Sequence, residues 1–506
     1  MSESVARRRA VSATLLPGFV GTTLPEWVST RLRDGLGGVC IFGPNIVSPE
    51  QLRDLTDSIY AANPRAIIAI DEEGGDVTRL HYATGSPLPG NAILGRIDDL
   101  DYTESIGRRI GWDLRRTGFN LNFAPDADIN SNPNNPVIGV RSFGSAPRDV
   151  SAQVAAWTRG LQSTAVAACA KHFPGHGDTT EDSHLTLPVV DRSLAELRER
   201  ELLPFAAAIA AGTKSIMSSH IMLPQLDPDR PATLSRTILQ DLLRGELGFD
   251  GVIVSDALDM TGASGTIGIP EAAVRALDAG CDLLCIGSQT TAEELDEIAA
   301  AIELALTDGR LATARVEDAA ARVLGLADEL ESERGETPVP EIGIDPIDAD
   351  SARALAAFDT QPTALEVLAT RPTDFQLVSL DSAINNAIGQ VPWGLRSELA
   401  ANPERYEGTA LTAHPPISVT SVSGINLAVD PKAVIVVVGR DIHRHADARE
   451  AVDRIRAGHP AVVVVDMGWP ADDRTYADIA TFGASRLAGR ALATLLTGVV
   501  LTGQSA

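Results

Sequence analysis

Gly251-Val252-Ile253-Val254-Ser255-Asp256 is a β-branched run that ends on a carboxylate. It is too short for a helix and apolar at successive positions, so it reads as a strand buried on both faces, the kind found in parallel sheets. Seven further runs share its character: Leu15 to Phe19, Gly38 to Phe42, Ala66 to Asp71, Leu121 to Pro125, Ala167 to Lys171, Ser215 to His220 and Leu283 to Gly287. Helical stretches separate them. Eight such units in succession predict an α/β chain whose N-terminal part is a TIM-type (β/α)8 barrel. Asp71, Asp126, Lys171, His220 and Asp256 each stand at or just past the end of a predicted strand, where a barrel aims side chains at one mouth.

The densest chemistry lies in one loop. From Lys171 to Pro188 the chain holds three histidines, two aspartates, a glutamate and a lysine, although it has only nine histidines in all. Lysine occurs only at Lys171, Lys214 and Lys432, so in a chain that otherwise uses arginine, Lys171 beside His172 reads as a compact ammonium donor. Asp182 and His184 are separated by one serine. A carboxylate that accepts from one imidazole nitrogen fixes the tautomer and leaves the other nitrogen to act as acid and then as base. The rival reading makes His172, His176, Asp178 and His184 metal ligands, but their spacing matches no standard zinc motif, and no metal is expected. His176 and His220 are expected to support the loop through hydrogen bonds.

A carboxylate at Asp256, held by rigid backbone and partly desolvated, suits a nucleophile. The same position also suits the cap of a following helix, and Asp259 is the better candidate for that work.

At 506 residues and 44 % hydrophobic content the chain is long enough for two cores. Residues 1–330 are expected to form the barrel, 331–350, rich in Glu, Pro, Gly and Asp, a linker, and 351–506 a smaller C-terminal α/β sandwich-like domain. In that second part Gln376 to Leu380, Ala433 to Val438 and Ala461 to Asp466 read as strands, and Ala446 to Ala457 and Ala484 to Leu496 as helices. The segment Ala413 to Gly424 reads as a loop or an edge strand. A net charge of -26 argues against nucleic acid or an anionic membrane as partner. The apolar N-terminal stretch Ala10 to Val20 is interrupted by Pro17 and Gly18, so it is expected to serve as the first strand and not as an export signal. Cys40, Cys169, Cys281 and Cys285 show no metal-type pairing, and a cytoplasmic location is expected.

Several motifs together resemble a known family. Lys171-His172-Phe173-Pro174-Gly175-His176-Gly177, followed by Asp182-Ser183-His184 and Pro188, is similar to the signature loop of bacterial β-N-acetylglucosaminidases of glycoside hydrolase family 3. Asp71-Glu72-Glu73-Gly74-Gly75, Asn122-Phe123-Ala124-Pro125, Gly139-Val140-Arg141-Ser142-Phe143-Gly144 and Val254-Ser255-Asp256 agree, as do Gly468-Trp469-Pro470 and Thr481-Phe482-Gly483-Ala484-Ser485 further on. The resemblance implies a retaining exo-glycosidase acting on terminal β-GlcNAc, with Asp256 as nucleophile and His184, paired with Asp182, as acid/base. It implies that Asp71, Arg79, Arg141, Lys171 and His172 bind the sugar, with no metal or organic cofactor, and that cell-wall fragments are the substrates. Asp76 departs from the family, which commonly has arginine there.

Two alternatives remain open at this point. A neutral histidine base lets an anionic acceptor approach, so phosphate in place of water would make the enzyme a phosphorylase. A non-catalytic sugar-binding barrel is the other, and the presence of both a nucleophile and a proton donor argues against it.

Overall fold

The computed structural model describes residues 3–181, 186–265, 267–340, 347–371, 373–381, 387–419 and 432–502. These divide into two compact units that interleave along the chain: Met1–Glu73, Asp99–Ile138 and Gly144–Ile342 form the first, and Gly74–Asp98, Gly139–Phe143 and Gly343–Ala506 the second. No helix among the described residues is long and apolar enough to cross a membrane.

The first unit is built on β1 (Leu15–Leu16), β2 (Gly38–Ile41), β3 (Ile67–Ile70), β4 (Leu121–Asn122), β5 (Ala167–Phe173), β6 (Ser215–Ser218), β7 (Val252–Ser255) and β8 (Leu283–Cys285). From β2 to β8 each strand pairs in parallel with the next, and β8 pairs with β1. Just past β1 the Cys40 amide donates to the Pro17 carbonyl at 3.0 Å, which joins β2 to the ring and completes a TIM-type barrel. Every strand residue is buried, which is why these strands read as unbroken apolar runs. Alternate residues fill the interior, among them Leu16, Cys40, Ile67, Ala69, Leu121, Cys169 and Val254, and Val323, Leu326, Ala327 and Leu330 of helix Thr313–Glu336 join the same cluster. The surrounding helices follow the same local logic. In Pro49–Ala62 the Ser48 hydroxyl caps the Gln51 amide at 3.2 Å and Pro49 opens the first turn, while Leu52, Leu55, Thr56 and Ile59 form the buried stripe.

The second unit carries β9 (Asp359–Thr360), β10 (Phe375–Leu380), β11 (Ile417–Val419), β12 (Val434–Gly439), β13 (Val462–Asp466) and β14 (Ile479–Ala480). Their order in the sheet is β11-β10-β12-β13-β14-β9, parallel except for β9 against β14. Period-two alternation sorts the central strand onto two cores: Val434, Val436 and Val438 face one layer of helices, and Ile435 and Val437 the other. Helices Ala446–Gly458 and Arg486–Thr502 lie where helices were expected.

Three local expectations are refined. The stretch 331–350 begins as the last turns of helix Thr313–Glu336 and ends inside helix Ile347–Ala356, because its first acidic residues continue a helical period. The segment Ala413 to Gly424 supplies edge strand β11, and from 420 it lies outside the described residues. The two-residue strands β9 and β14 were not anticipated; elements so short leave no periodicity in a sequence.

Candidate active site

The mouth of the barrel is lined from the strand ends. Asp71 follows β3, Lys171 and His172 lie within β5, His220 follows β6 and Asp256 follows β7. Lys171 is only 2 % exposed, and its Nζ stands 2.7 Å from Asp71 Oδ1 and 2.8 Å from Glu73 Oε1. A buried ammonium persists only when its charge is matched and its protons are bonded, so these two carboxylates fix the lysine. Deeper in the barrel, Cys169 feels the charges of Lys171, Asp71 and Asp256 together, although burial is the main force pushing its thiol up to about 12. Asp71, Lys171 and Asp256 stand toward the carboxyl ends of the alternate strands β3, β5 and β7, at the mouth of the barrel.

His172 is held from behind. Its Nδ1 lies 2.7 Å from Asp128 Oδ2, and Asp128 Oδ1 accepts from the backbone amides of His176 at 2.6 Å and His172 at 3.3 Å. Burial opposes the Asp128 charge, but His172, His176 and these bonds outweigh it and hold the carboxyl below its ordinary range. Ionised Asp128 thus favours the proton on Nδ1 and aims Nε2 away from it. The peptide bonds Ala124–Pro125, Lys171–His172 and Phe173–Pro174 in this region are cis.

The loop carrying Asp256 is also fixed from behind. The Ala257 amide donates to Asp256 Oδ1 at 2.8 Å, while His220 bonds the Ala257 carbonyl through Nε2 at 3.0 Å and the Thr233 hydroxyl through Nδ1 at 2.9 Å. His176 is buried, bonds Thr179 Oγ1 at 2.9 Å, and is lowered to about 4, chiefly by burial. His176 therefore supports the loop as a neutral ring, whereas these His220 bonds support the turn after Asp256 and not the 171–188 loop it was expected to hold. Asp259 does not cap the following helix, whose first position is preceded by Met260; its carboxyl reaches the Ser288 backbone, and burial raises its pKa.

Arg79 and Arg141 both belong to the second unit. Arg79 donates to the carbonyls of Ile388 at 3.0 Å and Ala387 at 2.7 Å. Arg141 is buried in the short turn Gly139–Arg141, and its carbonyl accepts from Asn91 Nδ2 at 2.6 Å. Asp182 and His184 lie outside the described residues. Asp76, the departure from the family pattern, bonds the Ala484 amide at 2.7 Å and Arg440 Nη2 at 2.8 Å within the second unit.

Sequence reasoning did not single out Glu73 or Asp128. The repeated acids of Asp71-Glu72-Glu73 and the alternation Asp126-Ala127-Asp128 at a strand end were the available signals. Among the described residues, Asp126, Asp128 and His172 form a group whose ligand atoms lie within 4.8 Å of one another. A cation there would have to displace the short bond between His172 and Asp128. The four-ligand set read from the loop does not assemble among the described residues, because Asp178 instead pairs with Arg192 at 2.9 Å and Arg200 at 3.0 Å.

The mouth of this parallel barrel thus combines a strand-end aspartate with a carboxylate-clamped lysine and an oriented histidine, on the face where barrel enzymes carry their active sites. Residues 22–326 match the N-terminal domain of glycosyl hydrolase family 3, and the chain belongs to that family. It is 36 % identical over 336 residues to β-hexosaminidase A of Pseudoalteromonas piscicida, spanning 61 % of this chain and 56 % of that one. It is 39 % identical over 283 residues to the β-hexosaminidase of Stenotrophomonas maltophilia, spanning 54 % of this chain and 82 % of that relative. A solved family 3 β-N-acetylglucosaminidase from Paenibacillus superposes with a TM-score of 0.83 at 28 % identity, covering 97 % of this chain and 96 % of the other.

Proposed function

We propose that this chain is a retaining exo-β-N-acetylglucosaminidase, a β-N-acetylhexosaminidase that releases terminal β-linked GlcNAc. The observation that carries the reading is the set of groups at the strand ends of one barrel mouth, Asp71 after β3, Lys171 in β5 and Asp256 after β7, with Lys171 Nζ 2.7 Å from Asp71 Oδ1. The relatives' names supply the sugar. In this reading Asp71 accepts from sugar hydroxyls, Lys171 donates to them, His172 meets one through the Nε2 that Asp128 does not hold, and Asp256 attacks the anomeric carbon to form a glycosyl-enzyme. His184, with Asp182 behind it, protonates the leaving oxygen and then activates water. Arg141 joins the sugar site by the family motif, whereas Arg79 already uses two donors on the 387–388 backbone. The barrel assigned to 1–330, less the segments 74–98 and 139–143, carries the chemistry, and 351–506 makes up most of the second unit.

Substrates derived from peptidoglycan follow from the resemblance to the bacterial enzymes. A reducing cytoplasm suits the four cysteines, all of them buried and free.

The deciding experiment incubates the purified protein with an aryl β-GlcNAc glycoside, with and without inorganic phosphate. Free GlcNAc in both arms, lost in Asp256→Ala, is the expected result. GlcNAc 1-phosphate as the main product would establish phosphorolysis, and no turnover in either arm would overturn the assignment.

A further inference from the structure

The second unit holds a cleft where its strand order reverses. The strand that follows β10 in the chain, β11, lies on one side of it, and the strand that follows β12, β13, lies on the other, so the order diverges at the carboxyl ends of β10 and β12, where an open parallel sheet leaves a crevice. Ligands of open parallel sheets bind at such switch points. A cavity of about 280 Å³ occupies this one, lined by Ser379, Asp381, Trp393, Arg396, Ser397 and Val438 among others. That volume suits one small ring, since drug-sized sites begin at about 300 Å³.

We propose that this cleft binds a neutral pyranose. The lining offers one indole, one carboxylate, one guanidinium and two hydroxyls over an apolar floor, so its formal charges cancel. A sugar ring has an apolar C–H face that packs on an aromatic side chain and a rim of hydroxyls that donate to a carboxylate and accept from a guanidinium. A phosphate or nucleotide would meet the Asp381 carboxylate, and a cationic ligand would meet Arg396. The groups are also held in place before any ligand arrives, which lowers the ordering cost of binding. Arg440 sits 5.3 Å from the Trp393 ring centroid and is itself bonded to Asp76 at 2.8 Å. Arg396 donates to Ser418 Oγ at 2.7 Å, and the Asp381 amide donates to the Val419 carbonyl at 3.1 Å.

The test uses the full chain carrying Asp256→Ala, so that substrate is not turned over, titrated calorimetrically with N,N′-diacetylchitobiose. Two binding events are expected. Ala400→Trp, a change at an exposed helical position on the cleft wall, should abolish one event, and Asp381→Ala should weaken that same event at least tenfold while leaving the other unchanged. A single event that survives Ala400→Trp overturns the proposal. So does failure of the sugar to bind the cleft while adenosine monophosphate or inorganic phosphate binds there and is blocked by Ala400→Trp. A single event abolished by Ala400→Trp supports the cleft and counts instead against the barrel as the GlcNAc site.

Discussion

Asp76 and Arg440 are 364 residues apart in the chain and 2.8 Å apart in the structure. Both are largely buried, and the second Asp76 oxygen accepts from the Ala484 amide at 2.7 Å. Burial raises the Asp76 pKa, and Arg440 works against that shift. Removing one partner of such a pair leaves the other charge desolvated, which costs about 3–5 kcal/mol. Asp76→Ala should therefore lower stability by that order in chemical denaturation. Asp76→Ala combined with Arg440→Met should recover part of the loss, and a double-variant loss equal to the sum of the two single losses would show that the two groups do not interact.

Lys171 is a second place where charge and space are both constrained. Its ammonium bonds Asp71 and Glu73 while 2 % exposed, and a planar guanidinium does not fit the volume of a compact ammonium. Lys171→Arg should lose nearly as much kcat/KM as Lys171→Met, by about a hundredfold or more. Near-normal kinetics in Lys171→Arg would mean that only charge matters at this position.

Asp256→Ala should lower turnover of a natural disaccharide by several orders of magnitude while the chain still unfolds cooperatively in denaturant, because the covalent route loses its attacking group. A large stability loss would assign Asp256 a structural role instead.

Asp466 makes the second unit's stability depend on pH. Burial, followed by the charge of Asp441, raises its carboxyl from 3.8 to about 7, against the pull of three backbone amides. The folded state thus binds this proton more tightly than the unfolded chain. Its contribution to stability is full below pH 3.8 and is lost as the pH climbs through about 7. Asp441→Asn removes the repelling charge, keeps an acceptor for the Trp469 amide, and suits the left-handed φ of 49° at that position. It should flatten the decline between pH 4 and 7, as measured by denaturant midpoints across that range, and an unchanged slope would place the proton elsewhere.

The barrel was legible in the sequence for a physical reason. Strands such as Ile67–Ile70 and Val252–Ser255 are buried on both faces, so nearly every position is apolar and the run stands out from its surroundings. Asp71, Lys171 and Asp256 were legible because each sits where such a run stops. Glu73 and Asp128 were not, since their importance depends on which strand ends meet around the ring. The same holds for Asp76: its partners come from turns after β12 and β14, and no local pattern announces a contact over that separation. The affiliation of 74–98 and 139–143 with the second unit is hidden from the sequence in the same way.

That interleaving bears on how the protein is made. Ile93 is fully buried in a cluster whose other members, such as Leu395, Met467 and Leu487, come from the last third of the chain. Asp76 waits 408 residues for the Ala484 amide, which at bacterial elongation rates of about 5–20 residues per second is roughly 20–80 s. During that interval the ring of strands has its own partners, while the segment between Gly74 and Asp98 has only early ones such as Arg141 and presents Ile93 to whatever is nearby. Late in translation the chain is thus most exposed to off-pathway association at a segment synthesised early, and a nascent chain stalled before β12 should recruit chaperones through it.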